Sequence, residues 1–483
     1  MTGALALPTP VRKSALLGAA ATVNVVVAAG VISGKVAAAV LVAILPALLL
    51  VIGGLMSGHR AVLAFAALGL DFTSLPIFND RLPLGGGAAI YCTDVILLLA
   101  IGGWAAERLT RGGERDPRQA VALAVTWPLP ILAVFVTLAV VHGHNDYGLA
   151  LFGQPVRLIL YAGIAVALLG ADARSVWRGI TVVFYAGAVI QFFYALYYLA
   201  TGGSQTDSVA LSTGGTRILA LSTATYLVGS LVCALLNLER ERDRPGRQFA
   251  HAVIAGLATF GIIVSYGRTT YAAVAVIIPV LLVARKPLRR SMLWLTPLLL
   301  PIVASLALIA PILDPSLVPT LTSRVASSSA TDINVIWRVR AREVSLEGLD
   351  EHLLTGIGFG RPARFRLAGR IHDVTGDPHN SYVYLLAGGG ILALGSLLAV
   401  MLAYLIDVAR RFRRAIDIEQ TLLIWSLCTW FAFAVNAYYG PVLTEANMLM
   451  TVWILMILPQ CVLLRGRNDS AAEEDPAAEP ASA

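Results

Sequence analysis

The chain has 483 residues, 57% of them hydrophobic and 13% charged, with a mean hydropathy of +0.76. That balance excludes a soluble globular protein and predicts repeated membrane spans of roughly 20 apolar residues each. The net charge of +7 sits in short loops between the apolar runs, where it sets topology; it does not build a nucleic-acid surface.

In chain order, the apolar runs predict spans near 14–33, 36–56, 61–78, 92–107, 121–141, 157–172, 177–200, 217–237, 249–265, 269–284, 292–312, 381–406, 421–438 and 444–463. The expected fold is all-α: a polytopic integral membrane protein of about 12–14 transmembrane helices. The third span is the weakest, because Asp71 interrupts it. The basic start of the chain leads into an apolar run too long for a signal peptide, with another run directly behind it. We therefore expect a first transmembrane helix there. Cys92, Cys233, Cys428 and Cys461 are far apart, with no CxxC spacing, and read as reduced packing residues.

With the N-terminus inside, the basic clusters "ERLTRGGERDPRQ", "DARSVWR", "LERERDRPGRQ", "ARKPLRRS" and "VARRFRRAIDIEQ" all face the cytoplasm. The outward loops are poor in Lys and Arg, so the positive-inside rule is met with both termini cytoplasmic. One outward loop is long. Residues 313–380 hold eight arginines, eight acids and no lysine. Within it, "WRVRAREVSLEGLDEHL" reads as an amphipathic helix and "TGIGFGRP" as a glycine-rich turn. The chain thus divides into N-terminal spans (1–209), core spans (210–312), the long extracytoplasmic loop (313–380), C-terminal spans (381–464) and an Ala/Glu/Pro-rich tail (465–483) expected to be disordered.

The outer face collects the chemistry. Arg217 and Arg268 stand at the start of inward-going spans, Arg338 lies in the long loop, and His379 opens "HNSYVYLLAGGGILALG". A helix entering the membrane points its positive dipole end outward, so an arginine placed there is favoured only when an anion sits beside it. A guanidinium fork binds phosphate bidentately and keeps its charge. The set suits a lipid-linked diphosphate. Plainer readings stand beside this one: span-end arginines snorkel, His379 can be a polar cap beside Asn380 and Ser381, and Gly388, Gly389 and Gly390 can be a close-packing face. "HGHND" (His142, His144, Asp146) comes nearest to a metal set but reads as a polar outer loop. No P-loop or dinucleotide fingerprint is present, and no metal or cofactor is expected.

At this point the motifs resemble a family, the O-antigen ligase and O-antigen polymerase superfamily of bacterial envelope glycan assembly. The resemblance rests on "SYGRTTYAAV", "WRVRAREVSLEGLDEHLLTGIGFGR", "HNSYVYLLAGGGILALG" and, nearer the N-terminus, "YCTDVILLLA". It covers roughly residues 210–400. It departs from the family pattern where Pro is absent before the Gly-x-Gly turn and where Trp337 precedes the arginine, which leaves Arg338 and Arg340 both in play. The resemblance implies a GT-C-like, metal-independent glycosyltransferase in the bacterial cytoplasmic membrane, its active site facing outward. The donor would be a polyprenyl-diphosphate-linked glycan. The acceptor would be a hydroxyl on an envelope glycolipid, glycan or protein. Arg268, Arg338 and His379 would be catalytic, and Arg217, Arg340, Asn380 and Tyr382 would bind substrate. A ligase is expected and a repeat-unit polymerase is the alternative. A flippase or transporter without bond formation is the alternative of another class. Coupled transporters carry charge deep in their spans, whereas Asp94, Arg157 and Glu445 lie near predicted span ends.

Overall fold

The computed structural model describes residues 61–73, 82–85, 88–110, 128–142, 149–169, 171–203, 218–285, 333–375, 378–413, 415–443 and 445–462. The predicted spans at 14–33, 36–56 and 292–312, and the tail, lie outside the described residues. Among the described residues, thirteen α-helices run in the order α1 (Ala61–Thr73), α2 (Cys92–Thr110), α3 (Pro128–His142), α4 (Leu149–Leu160), α5 (Ala165–Leu168), α6 (Ala173–Thr201), α7 (Leu221–Arg240), α8 (Pro245–Val264), α9 (Arg268–Ala284), α10 (Ile333–Ser345), α11 (Ser381–Phe412), α12 (Ile418–Tyr439) and α13 (Ala446–Val462). Five of these (α6, α7, α8, α11 and α12) are long and apolar enough to cross a membrane, and shorter apolar helices meet the other predicted spans within the described residues. The protein is a mostly helical, multi-span membrane protein.

The central helix is α7. Every residue from Thr223 to Glu239 is buried, because α6, α8, α9, α12 and α1 all pack on it. Several of its polar residues face partners on surrounding segments. Ser230 Oγ donates to the Phe184 carbonyl on α6, and Trp177 Nε1 donates to Asn237 Oδ1 at 2.7 Å. Tyr226 shares a 2.7 Å bond with Thr451 on α13, and Glu239 pairs with Arg285 after α9. Such bonds average about 0.6 kcal/mol within membranes, so close packing carries most of the association. Small residues permit it. A Cβ on Gly187 would stand 2.2 Å from the Phe72 ring, and one on Gly179 2.3 Å from Phe65, so α1 rides in the glycine groove of α6.

Asp71, which weakened the third span in the sequence, is 3% exposed. It turns inward and accepts from Thr451 Oγ1 at 3.2 Å, as intramembrane carboxylates do when they face protein. At the start of α2, Asp94 takes a two-toothed ion pair from Arg157 on α4 and the Tyr161 hydroxyl at 2.7 Å.

Two features depart from the expected all-helical loops. Leu82–Gly85 (β1) and Ala88–Ile90 (β2) form an antiparallel hairpin. Arg364–Leu367 (β3) and Arg370–Asp373 (β4) form a second one. Its two-residue turn, Ala368-Gly369, has φ of 49° and 78°, as a tight hairpin turn requires. The amphipathic helix of the long loop is also shorter than the sequence suggested: α10 ends at Ser345, and a 3-10 turn covers Leu349–His352.

Candidate active site

Four chain segments meet at one end of α12, and side-chain hydrogen bonds fix each of them there. Thr269, in the first turn of α9, donates to Asn436 Oδ1. Asn436 in turn donates to Thr225 Oγ1 at 2.6 Å in the first turns of α7. The start of α11 is tied by Ser381, whose Oγ donates to the Gly440 carbonyl and accepts from the Leu443 N–H, both at 3.0 Å. From the long loop, Arg342 of α10 donates to the Tyr438 carbonyl at 3.1 Å and lies over the Tyr438 ring at 4.9 Å. The segments bearing Arg268, Arg338 and His379 therefore converge on residues 434–443.

The predicted residues that fall within the described segments each have a definite setting. Arg268 is the first residue of α9, and the preceding Gly267 supplies no side-chain cap. The α8–α9 reversal takes only Ser265-Tyr266-Gly267, with Tyr266 held at φ 51°. His379 is also left-handed, at φ 52°, a conformation uncommon outside glycine. Its ring lies on the Trp337 ring, centroids 4.7 Å apart. Trp337 is held in turn by His372 and Phe365 of the hairpin, and Arg338 is the next residue along α10. Arg340 points the other way: it is exposed and pairs with Glu343 at 2.8 Å.

The Asn380 side-chain oxygen and the Tyr382 hydroxyl serve the architecture. Asn380 is 1% exposed, and its Oδ1 accepts from the N–H groups of Tyr382 and Val383, capping α11. The Tyr382 hydroxyl donates to the Ala434 carbonyl. Replacing Asn380 by alanine is expected to cost about 1 kcal/mol of stability, read as a lowered Tm, while Ser should recover most of it. An unchanged Tm for the alanine variant would show that the cap carries no load.

The three glycines do more than pack helices. Gly389 does face α3, where an added Cβ would stand 3.5 Å from the Ala139 Cβ. Gly390, at φ 66° and ψ −166°, breaks α11. The loop after α10 enters this break. Ile357 and Gly358 donate to the Ala387 and Gly388 carbonyls at 2.8 and 3.0 Å. Beyond the break, Ile391 and Leu392 donate to the Leu353 and Leu354 carbonyls at 3.0 and 3.2 Å, and Phe359 reaches the Ala139 carbonyl on α3. The backbone groups released by the break are thus paired by the glycine turn, as burial in lipid demands. A cavity of about 70 Å³ lies beside this junction, lined by Phe359, Arg361, Thr375, Pro378 and Tyr384; it has room for water but is too small for a sugar.

Sequence reasoning missed Trp337 as the seat of His379 and Arg342 as the dock of α10. Arg342 was findable, because it lies four residues after Arg338 and so shares its helix face. Arg217, His144 and Asp146 lie outside the described residues. His142 ends α3 with its ring 6.5 Å from that of His352, and no group of three or more potential ligands comes together among the described residues.

A protein-family model described as O-antigen ligase matches residues 251–398, a stretch running from α8 through the long loop to the middle of α11. No curated protein matches the chain.

Proposed function

We propose that this chain, a member of the O-antigen ligase domain family through residues 251–398, moves a glycan from a polyprenyl-diphosphate donor to an acceptor hydroxyl on the extracytoplasmic side of the membrane. Membership carries membrane glycan transfer of the ligase or polymerase type, on lipid-linked glycan substrates; donor, acceptor and residue roles are our reading. The observation that carries it is the left-handed His379, its ring on Trp337 and its helix anchored on the same end of α12 as α9 and α10. Strain held where several elements meet marks a position kept for use.

In this reaction the acceptor oxygen bonds to the anomeric carbon as that carbon's bond to the diphosphate oxygen breaks. The diphosphate departs on its lipid, and the hydroxyl proton passes to the His379 imidazole. Arg268 and Arg338 stabilise the charge growing on the leaving diphosphate. The dipole of α9 adds to them, since its N-terminus carries no side-chain cap. Asn380 and Tyr382 act as positioning residues for His379.

The test uses the purified protein in nanodiscs with a polyprenyl-diphosphate oligosaccharide, with and without acceptors. A single transfer that needs an added acceptor supports the ligase; a regular ladder from donor alone makes it a polymerase. Lipid reorientation without a new bond would replace both with a flippase. Arg268→Ala and Arg338→Ala are each expected to lower the rate by about 10²–10³. Arg340→Ala should stay within about twofold, as an exposed substitution does. A loss at Arg340 equal to that at Arg338 would overturn the choice between them.

A further inference from the structure

At the opposite end of α8 from Arg268, about 30 Å away along its 20 residues, the bundle holds a second cavity, of about 720 Å³. Five arginines line it: Arg174 and Arg178 from α6, Arg240 from α7, and Arg244 and Arg247 at the start of α8. Among the described residues, only two carboxylates, Glu241 and Asp243, share the lining. Arg247 pairs with Glu241 and Arg240 with Asp417. Asp243 is taken by Arg242, outside the cavity. Arg174, Arg178 and Arg244 are exposed and make no ion pair among the described residues.

We propose that this cavity binds the phosphate headgroup of an anionic membrane lipid. Three features distinguish it from charge that serves topology alone. First, the arginines converge from three helices on one concavity, while Arg410 and Arg413 on the same face stay out of it. Second, the interior is a connected polar network. Trp177 donates to Asn237, Asn237 donates to the Tyr185 hydroxyl, and Tyr185 bonds His251 Nδ1 at 2.8 Å. The other ring nitrogen of His251 is buried without a hydrogen-bond partner, 3.7 Å from Glu241. Third, an apolar flank adjoins the polar part. Val182 in the lining is 62% exposed, and Phe249 on α8 is 53% exposed, so acyl chains can lie along the bundle while the headgroup enters. Basic pockets between helices take lipid phosphates in this way.

The test is lipid titration of the full-length detergent-purified protein, read by native mass spectrometry and thermal shift. Phosphatidylglycerol, phosphatidylcholine with the same chains, and inorganic phosphate form the three arms. Phosphatidylglycerol is expected to bind and raise Tm while the other two do not. In the Arg174→Gln/Arg178→Gln/Arg244→Gln variant, binding should weaken by about 100-fold, each arginine contributing roughly fivefold. The Arg242→Gln/Arg410→Gln/Arg413→Gln variant removes equal charge from the same face and should stay within about twofold. Should the first variant fail to fold, Arg174→Gln and Arg178→Gln singly, each about fivefold weaker, carry the test. Equal binding of phosphatidylcholine, an equal loss in the second triple variant, or a full shift with inorganic phosphate would each overturn the proposal.

Discussion

Alanine at Gly390 is expected to abolish glycan transfer and to release the long loop from the membrane domain. A Cβ there would stand 2.2 Å from the Leu354 carbonyl oxygen and 2.5 Å from the Gly356 nitrogen. Both are backbone atoms: the Leu354 carbonyl accepts from the Leu392 N–H across the junction, and the Gly356 N–H donates to the His352 carbonyl within the loop, so neither can yield as a side-chain tip would. The conformation itself, φ 66° and ψ −166°, belongs almost wholly to glycine, and forcing another residue into it costs on the order of 1–3 kcal/mol. Gly356→Ala should behave alike, since its Cβ would meet the Gly388 carbonyl oxygen at 2.5 Å at φ 74°. Gly395→Ala supplies the comparison: it sits on the same helix with nothing within 4 Å, and should leave transfer intact. Hydrogen exchange across residues 353–359, measured beside the transfer rate, reads the release. Protected amides and full activity in Gly390→Ala would show that the junction is not needed.

Removing the imidazole at position 379 is the second large effect. His379→Ala is expected to lower transfer by about 10²–10⁴, the usual worth of a positioned general base, without unfolding the protein. The left-handed backbone makes a sharper comparison possible. A non-glycine residue at φ 52° carries roughly 1–2 kcal/mol of strain, so His379→Gly should raise Tm while losing the same activity. A residue kept for folding alone would move both readings in one direction. Full transfer by either variant would end the case for His379 as a catalytic group.

Hydropathy made the bundle legible, because a span must satisfy its backbone within itself and therefore declares itself as a long apolar run. The start of α9 at Arg268 and of α11 at Ser381 were readable for the same reason. What stayed hidden depends on groups distant in the chain. Nothing local to "LLAGGGILALG" says that the turn at Gly356 will thread its break; three glycines are equally compatible with a packed helix face. The seat of His379 on Trp337 joins α10 to the start of α11, and no period within either segment marks it. The second hairpin was within reach. "RFRLAGRIHD" places a small pair, Ala368-Gly369, between two short strands, but its arginine-rich strands lack the apolar face that usually marks one. The roles of Asn380 and Tyr382 illustrate a different limit: a motif names residues near the chemistry without saying which of them touch substrate and which hold the others in place.

The threaded break in α11 also bears on how the chain is made. A helix with free carbonyls at Ala387 and Gly388 would be costly to leave in hydrocarbon, yet the amides that satisfy them belong to Ile357 and Gly358, which the ribosome completes first. The partner is therefore already synthesised when the second half of the junction arrives, and biogenesis never has to store an unsatisfied span while waiting for a later segment. The order of the genetic message, loop before broken helix, matches the order in which the two halves must meet.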